Sequence, residues 1–496
     1  MPPLPRPRPR AVLLTTVIAV ALVAAPAKPA AAQDAKEMMA GFIDANATAY
    51  ADVAQEIWEM AEVGYMETES SATLQSMLRE AGFEVVAGVA GMPTAFVASW
   101  GEGGPVIGIL GEFDALPGIN QSRSPERDPI PGKVAGHACG HHLFGTGSAA
   151  AAIAVKEWLR ESGQPGTIRV YGTPAEEGGA GKVYMVREGL FDDVDAVLHW
   201  HASAENSANA TSSLANKSAK FRFYGESAHA AGAPWRGRSA LDGVEAMNDM
   251  VNLMREHVTP ASRIHYVITA GGSAPNVIPD YAEVYYYVRH PDPDEVRRLF
   301  DRVVRTAEGA AMGTETRMEY EVIHGIYNLL PNEPLARAMH DNLTRVGGVS
   351  YTEEERRFAE LIRTSLPEDV PPLEASEQVE PFEVREVGSG GSTDVGDVSW
   401  AVPTAGLRTA TWVPGTSSHS WQAVAAGGTG IGTKGMINAA KTLAFTAYDL
   451  FTRPDLLEAA REEFLGRRGA DYTYEPLLGD RDPPLDYRAS VVGGGG

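Results

Sequence analysis

Between Asp34 and Val63 the apolar residues Met38, Phe42, Ile43, Tyr50, Val53, Ile57 and Met60 recur at helical spacing, which predicts one long amphipathic helix. A second helix is expected over about 70–79, stopped by Gly82. Residues 83–100 alternate as a strand pair, and Gly101-Glu102-Gly103-Gly104 forms the following turn. Three short apolar runs come next, at 105–110, 167–171 and 195–198. Each suits a parallel strand buried on both faces. Helices are expected at about 149–160 and 180–189 between these runs. The pattern is that of an α/β fold with a mixed sheet.

Near Ala219 the pattern changes. A strand at 221–224, a helix at about 239–256, strands at 264–269 and 281–288, a helix at 294–310 and a strand at 316–323 give a β-α-β-β-α-β order. That order is ferredoxin-like and predicts an inserted α+β domain. Tyr285, Tyr286 and Tyr287 suggest a sheet face or an interface. A helix over 333–345, a strand near 405–412 and a helix over 433–451 return to the first pattern. The acidic, Pro-containing stretch 353–383 reads as an exposed excursion with one short helix. The expected organisation is a leader (1–32), a first catalytic part (33–216), an inserted dimerisation or lid domain (217–327), a second catalytic part (328–466) and a surface-wrapping tail (467–496).

The leader rests on the basic Arg6, Arg8 and Arg10, the apolar run 11–24, and Ala30-Ala31-Ala32 before Gln33. These are the three parts of a secretory signal peptide, so an exported, periplasmic or secreted, protein is expected. The apolar run is too short for a membrane span, and no span is expected after its removal. The net charge of −23 becomes −27 once Arg6, Arg8, Arg10 and Lys28 are removed. Such a balance argues against nucleic-acid binding, which wants a basic face. The single cysteine excludes an internal disulfide, and a secreted chain that keeps one thiol protects it, as metal coordination would.

That cysteine lies in Gly136-His137-Ala138-Cys139-Gly140-His141-His142, a glycine-rich loop before a helix. Cys139 and His141 offer a thiolate and an imidazole two residues apart, donors suited to zinc or a similar ion. Alone, the motif reads more readily as a glycine-rich turn before a helix with a buried Cys, and the glutamates and histidines supplied later at strand ends overturn that reading. Further candidates cluster at the ends of the buried runs: Glu112 and Asp114 after the first, Glu176-Glu177 after the second, His199-Trp200-His201 after the third. Adjacent side chains on an extended backbone point opposite ways. One Glu of the pair could therefore hold metal while the other faces substrate as a base. A helix start attracting acidic residues would also explain the pair. His199 and His201 share a strand face, and Ser418-His419-Ser420 presents another histidine from a small-residue loop. No strand-linked G-x-G-x-x-G is present, and Gly388 to Gly391 lacks the context of a phosphate loop, so nucleotide chemistry is not expected.

Eight motifs in order carry a family resemblance: Gly-Glu-Phe-Asp-Ala-Leu-Pro at 111–117, Gly-His-Ala-Cys-Gly-His at 136–141, Pro-Ala-Glu-Glu-Gly-Gly at 174–179, Trp-His at 200–201, Ala-His-Ala-Ala at 228–231, Pro-Asn-Val-Ile at 275–278, Ser-Thr-Asp-Val-Gly at 392–396 and Ser-Ser-His-Ser at 417–420. Together they resemble the dinuclear-metal amidohydrolases related to aminoacylase, the auxin-conjugate hydrolases and the aminobenzoyl-glutamate hydrolases. The resemblance implies metal-assisted hydrolysis of an amide in N-acyl amino acids, aminobenzoyl-glutamate-like conjugates or dipeptides. Two divalent ions, zinc or else manganese or cobalt, would be held by Cys139, His141, Glu177, His419 and a histidine of the third run. One branch places that histidine at His199, in a His-x-x-Pro pattern whose Pro is Ala202 here. Other members keep Trp-His, which favours His201.

Glu176 would be the general base. Glu112 and Asp114 would orient ligands, since many cousins carry a ligating His where Glu112 stands. His229 would reach a partner subunit's site and stabilise the oxyanion. Asn276 and Arg238 would position substrate, and Arg236, Arg238 or Arg289 could meet a substrate carboxylate. These roles imply a homodimer, with a hetero-oligomer of related subunits also open. The alternative is a secreted metal-binding scaffold of the same fold without turnover.

Overall fold

The computed structural model describes residues 29–387, 390–469, 471–489 and 491. The expected leader thus lies outside the described residues up to position 28. The single helix expected over 34–63 is two, α1 (Pro29–Ala45) and α2 (Ala47–Met60). Between them the Asn46 amide donates to the Phe42 carbonyl at 2.8 Å, a local bond that competes with helix continuation. Helix α3 (Thr68–Glu80) and the antiparallel strands β1 (Glu84–Ala87) and β2 (Phe96–Glu102) follow as expected. Strand β3 (Val106–Gly111) leads to a long loop pinned by β4 (Leu116–Pro117) against β5 (Ala135–Gly136).

Helix α4 (His141–Ser162) starts eight residues before the apolar periodicity predicts. Gly145 and Gly147 look like loop residues but are there for close approach. A Cβ on Gly145 would lie 2.8 Å from the Glu112 carbonyl, and one on Gly147 would lie 3.0 Å from the Trp200 ring. Strand β6 (Gly166–Gly172), helix α5 (Gly181–Arg187) and strand β7 (Ala196–Ser203) come next. Strand β7 runs through His199 and His201 rather than ending before them. The short β8 (Ala210–Thr211) then precedes the second pattern.

That pattern comprises β9 (Ala215–Tyr224), α6 (Ala240–Met254), β10 (Arg263–Ala270), β11 (Tyr281–His290), α7 (Pro293–Thr314) and β12 (Arg317–Ile326). The four strands pair antiparallel in the order β10-β11-β9-β12, the ferredoxin-like arrangement. Phe221, Phe223, Val284, Tyr286 and Val288 form its buried face with Val244, Met247, Leu299 and Val303 of the helices. Tyr286 belongs to that core, whereas Tyr285 bonds Ser218 at 3.3 Å on the opposite, polar face.

The remaining chain contains α8 (Glu333–Val346), α9 (Glu353–Arg363), β13 (Val384–Arg385), α10 (Val395–Ala401), β14 (Thr404–Ala410), α11 (Trp421–Gly427), α12 (Gly430–Thr452) and α13 (Pro454–Arg468). The stretch 353–383 is not wholly exposed, because Ala359, Ile362 and Leu373 bury against Val413, Ala425 and Ile431. Strand β14 completes a six-stranded sheet of order β1-β2-β6-β3-β7-β14. Strands β6, β3, β7 and β14 are parallel to one another, β2 runs antiparallel to β6, and β1 runs antiparallel to β2. The mixed α/β sheet and inserted ferredoxin-like unit are therefore as the sequence predicts. The tail beyond α13 does more than wrap the surface. Leu477 and Leu478 are buried, Arg481 donates to the Val322 and Ile323 carbonyls of β12, and Arg488 donates to the Glu177 carbonyl at 2.6 Å. No helix among the described residues is long and apolar enough to cross a membrane.

Candidate metal centre

Parallel strands bring their C-terminal ends to one edge of the sheet, where α/β folds place their sites. Glu112 and Asp114 follow β3, Glu176 and Glu177 follow β6, His199 and His201 lie near the end of β7, and His419 follows β14. Gly140, at φ +77°, turns the chain from the Cys139 loop into α4, so Cys139 and His141 enter from the neighbouring layer.

Asp114 organises the centre. Its Oδ1 lies 2.9 Å from His141 Nδ1, and its Oδ2 accepts from the Glu177 backbone N–H at 2.9 Å. The imidazole is thereby fixed with Nε2 facing inward, the arrangement by which a carboxylate orients a ligating histidine. His201 Nδ1 lies 2.8 Å from the Ala202 carbonyl, which leaves Nε2 free 3.5 Å from Cys139 Sγ. His419 is held by its backbone N–H on the Ala138 carbonyl at 3.0 Å, and its Nε2 lies 3.4 Å from Glu177 Oε1.

Two donor triads result, Cys139-His141-His201 and Cys139-Glu177-His419, with the donor atoms of each all within 4.8 Å of one another. They share Cys139. A third group, Glu112-His141-Glu176, meets the same criterion, so Glu112 stands closer to the donor cluster than the orienting role expected of it. His199 belongs to none of the three. His141 Nε2, Glu177 Oε1 and both Glu112 oxygens are buried and face other charged groups of the cluster: Glu112 Oε2 lies 3.1 Å from His141 Nε2, Glu112 Oε1 2.7 Å from Lys182 Nζ, and Glu177 Oε1 3.4 Å from His419 Nε2. Sulfur, imidazole and carboxylate donors crowded into one buried place fit divalent metal ions.

The protonation landscape has the same origin. Burial pushes the Cys139 thiol well up, and Glu177 adds to it. Burial opposes charge on His141, but Glu112, Cys139 and Asp114 together raise it well above the usual histidine value. Glu176 is held well above the carboxylate range by burial, then by Glu112, Glu177 and Asp394. His199 is pushed down to about 3 by burial, with Lys182 and Arg408 contributing.

Lys182 and Glu67 are groups that sequence reasoning passed over. Lys182 is buried, with its Nζ 2.7 Å from Glu112 Oε1 and 2.7 Å from Asp394 Oδ1. Its ammonium links the β3 end to the Ser392–Gly396 motif, which the resemblance marked without assigning Asp394 a role. The only sequence signal is a lone lysine in a short apolar helix after the Glu pair. Glu67 accepts from the Ala175 N–H at 2.8 Å and is pushed up to about 8 by burial and then by Asp114. No sequence signal marks it.

A cavity of about 900 Å³ opens over the centre, lined by Glu112, Cys139, Glu176, Glu177, His199 and His201 among others. His229, Asn276 and Arg238 do not line it. His229 and Asn276 are exposed together on the inserted unit, where the Ala230 N–H donates to the Asn276 carbonyl at 3.0 Å. Arg238 Nε pairs with Glu315 at 2.7 Å. Arg289 sits with its guanidinium over the Tyr287 ring and Nη1 3.5 Å from Ser392 Oγ.

Residues 108–364 match the model of peptidase family M20/M25/M40. The chain is 42% identical over 447 residues to one of the two kinds of subunit named for the p-aminobenzoyl-glutamate hydrolase of Escherichia coli, covering 85% of this chain and 93% of that one. It is 30% identical over 463 residues to the mouse Xaa-Arg dipeptidase, covering 89% and 96% of the two chains. A solved Bacillus subtilis dinuclear metal-binding peptidase of the M20 family superimposes with a TM-score of 0.53 at 18% identity, over 81% of this chain and 98% of that one.

Proposed function

The chain belongs to the M20/M25/M40 peptidase family, and from that membership we propose which residues carry out its metal-dependent hydrolysis of amide bonds, and on what. It is an amide hydrolase with a dinuclear metal centre. A metal-binding scaffold without turnover is not favoured by relatives named as hydrolase and dipeptidase. The observation that carries the residue assignment is the pair of donor triads sharing Cys139. In this reading His141 and His201 complete one ion's site, and Glu177 and His419 complete the other's, with Cys139 common to both. His199, in none of the donor groups, stays outside the ligand set. The thiolate and imidazole donors suit zinc.

When bound, two such ions polarise the scissile carbonyl and acidify the attacking water. Glu176, beside the donors and raised in proton affinity by its burial and its carboxylate neighbours, takes the proton from that water. It then delivers it to the leaving nitrogen. Asp114 keeps the His141 ring in place throughout, and Lys182 holds Glu112 through its Oε1. His229, exposed on the inserted unit beside the exposed Trp235 and Val277, serves the cavity of a second protomer, where its N–H steadies the developing oxyanion. That second protomer is another copy of this chain or, by analogy with the Escherichia coli hydrolase and its two kinds of subunit, a related chain. Asn276, from the same loop cluster, helps to position substrate there. Residues 1–32 direct export.

The substrates are amides of amino acids, either N-acyl conjugates of the aminobenzoyl-glutamate kind or dipeptides. The test is metal content by mass spectrometry together with release of free amino acid from a panel of such amides, for wild type and Glu176→Ala. About two ions per chain are expected in both. Turnover is expected to fall by about a hundredfold or more in the variant. Undiminished turnover in Glu176→Ala would remove the base from the scheme.

A further inference from the structure

The carboxylates lining the cavity outnumber its arginines. Glu112, Glu176, Glu177, Glu205 and Glu380 all line it. With Glu112 paired to Lys182 and Glu177 assigned to an ion, a substrate carboxylate held away from the ions still needs a cation of its own. Lys182 is spent on Glu112 and Asp394. Of the arginines lining the cavity, Arg385 pairs with Glu383, its Nε 2.8 Å from Glu383 Oε2. Arg408 is the other. It is exposed, and among the described residues its guanidinium has neither an ion pair nor a hydrogen bond.

Its position is set by strand register. In the parallel pairing of β7 with β14, Arg408 stands opposite His201 and Gly406 opposite His199. Residues in register on neighbouring strands share a face and lie about 4.8 Å apart. The His199 ring occupies the space over Gly406, where an added Cβ would meet its Nε2 at 2.2 Å. The next position on that face, beside His201, is Arg408.

We propose that Arg408 is the carboxylate anchor of this cavity, so that the amide cleaved is one whose amino-acid half carries a free carboxylate. This deepens the hydrolase reading above and rests on it for the site's purpose, not for the binding chemistry. A guanidinium presents paired N–H donors that match the two oxygens of a carboxylate. From the edge strand β14 it fixes one end of the substrate while the scissile amide lies over Cys139 and Glu177. The arginines considered from sequence do not take this place: Arg238 is tied to Glu315 outside the cavity, and Arg289 rests on Tyr287 and Ser392.

The experiment compares binding of 4-aminobenzoyl-glutamate with that of its diamide, in which both carboxylates are carboxamides. Calorimetry is run on metal-loaded wild type, Arg408→Gln and Arg408→Lys, with turnover measured in parallel. Wild type should bind the acid more tightly than the diamide. Arg408→Gln should lose roughly ten- to hundredfold of that preference, with Arg408→Lys between them and metal content unchanged in all three. In turnover the loss should fall mainly on KM. An acid-to-diamide preference in Arg408→Gln equal to that of wild type, or no preference in wild type, overturns the proposal. Wild type that prefers the acid through Arg408 yet cleaves nothing would leave the anchor standing and sink the hydrolase reading instead.

Discussion

Cys139 is buried beside Glu177, and both burial and that carboxylate favour its neutral thiol. A metal ion takes the thiolate, so binding has to expel the proton. Protons therefore compete with the ions, and the competition weakens as pH rises. We expect metal loading to be tight at about pH 8 and to fail progressively on dialysis towards about pH 5, read as ions retained per chain. Because Cys139 is the common corner of two triads, Cys139→Ala should release both ions together. His419→Ala should loosen only the ion it shares with Glu177. Loss of a single ion from Cys139→Ala would mean that the triads do not share the sulfur. Of the candidate donors marked in the sequence, those at 139, 141, 177, 201 and 419 converge, whereas His199, marked beside them, joins none of the donor groups. Lys182 and Glu67 escaped sequence reading because a lone charged residue carries no periodicity and shows its purpose only through distant partners.

Among the elements, the start of α4 decides the most. Gly140 adopts a left-handed backbone at φ +77°, and a Cβ there would lie 2.4 Å from that of Ala202. Gly140→Ala should therefore cost about 1–3 kcal/mol of stability and push the Cys139 loop away from β7. Urea unfolding reads the first effect and the ratio of bound ions the second. A variant as stable and as well loaded as wild type would show that this turn is not under constraint. The apolar pattern predicted α4 to begin at 149. Its first two turns carry glycines chosen for contact with β3 and Trp200, and a glycine kept for packing looks in sequence like a glycine kept for a turn. The opposite error occurred at Asn46, where apolar spacing runs on but a side-chain bond divides the helix.

The whole molecule is tied together by its C-terminal tail. It docks on β12 through Arg481 and Leu477, and it ends with Arg488 and Tyr487 both donating to the Glu177 carbonyl. The inserted unit and the loop that carries Glu177 are thus joined by one stretch of irregular chain. Loss of a charged hydrogen bond of this kind costs about 2 kcal/mol, so Arg488→Ala should lower the thermal midpoint and weaken retention of the ion that Glu177 helps to hold. A shifted midpoint with unchanged metal affinity would reduce the tail to a structural clamp. Its composition, rich in Gly, Pro and charge, reads as surface chain. Only the docking partners, more than a hundred residues away, reveal its contacts with the loop that carries Glu177.

Period and composition determined the strand-helix alternation and the ferredoxin-like insertion and marked the candidate donors, because these follow from local backbone preferences and the chemistry of single side chains. The roles of those donors came from the family resemblance. Tertiary structure decided what depends on distance between remote segments. It joined Cys139 to two separate triads. It put His201 rather than His199 among the donors through the seating of one ring over Gly406, and it left His229, Asn276 and Arg238 outside the chain's own cavity. It also turned Arg408, one unremarked arginine in an edge strand, towards a cavity of carboxylates. Register and burial are properties of paired segments, and no single segment carries them.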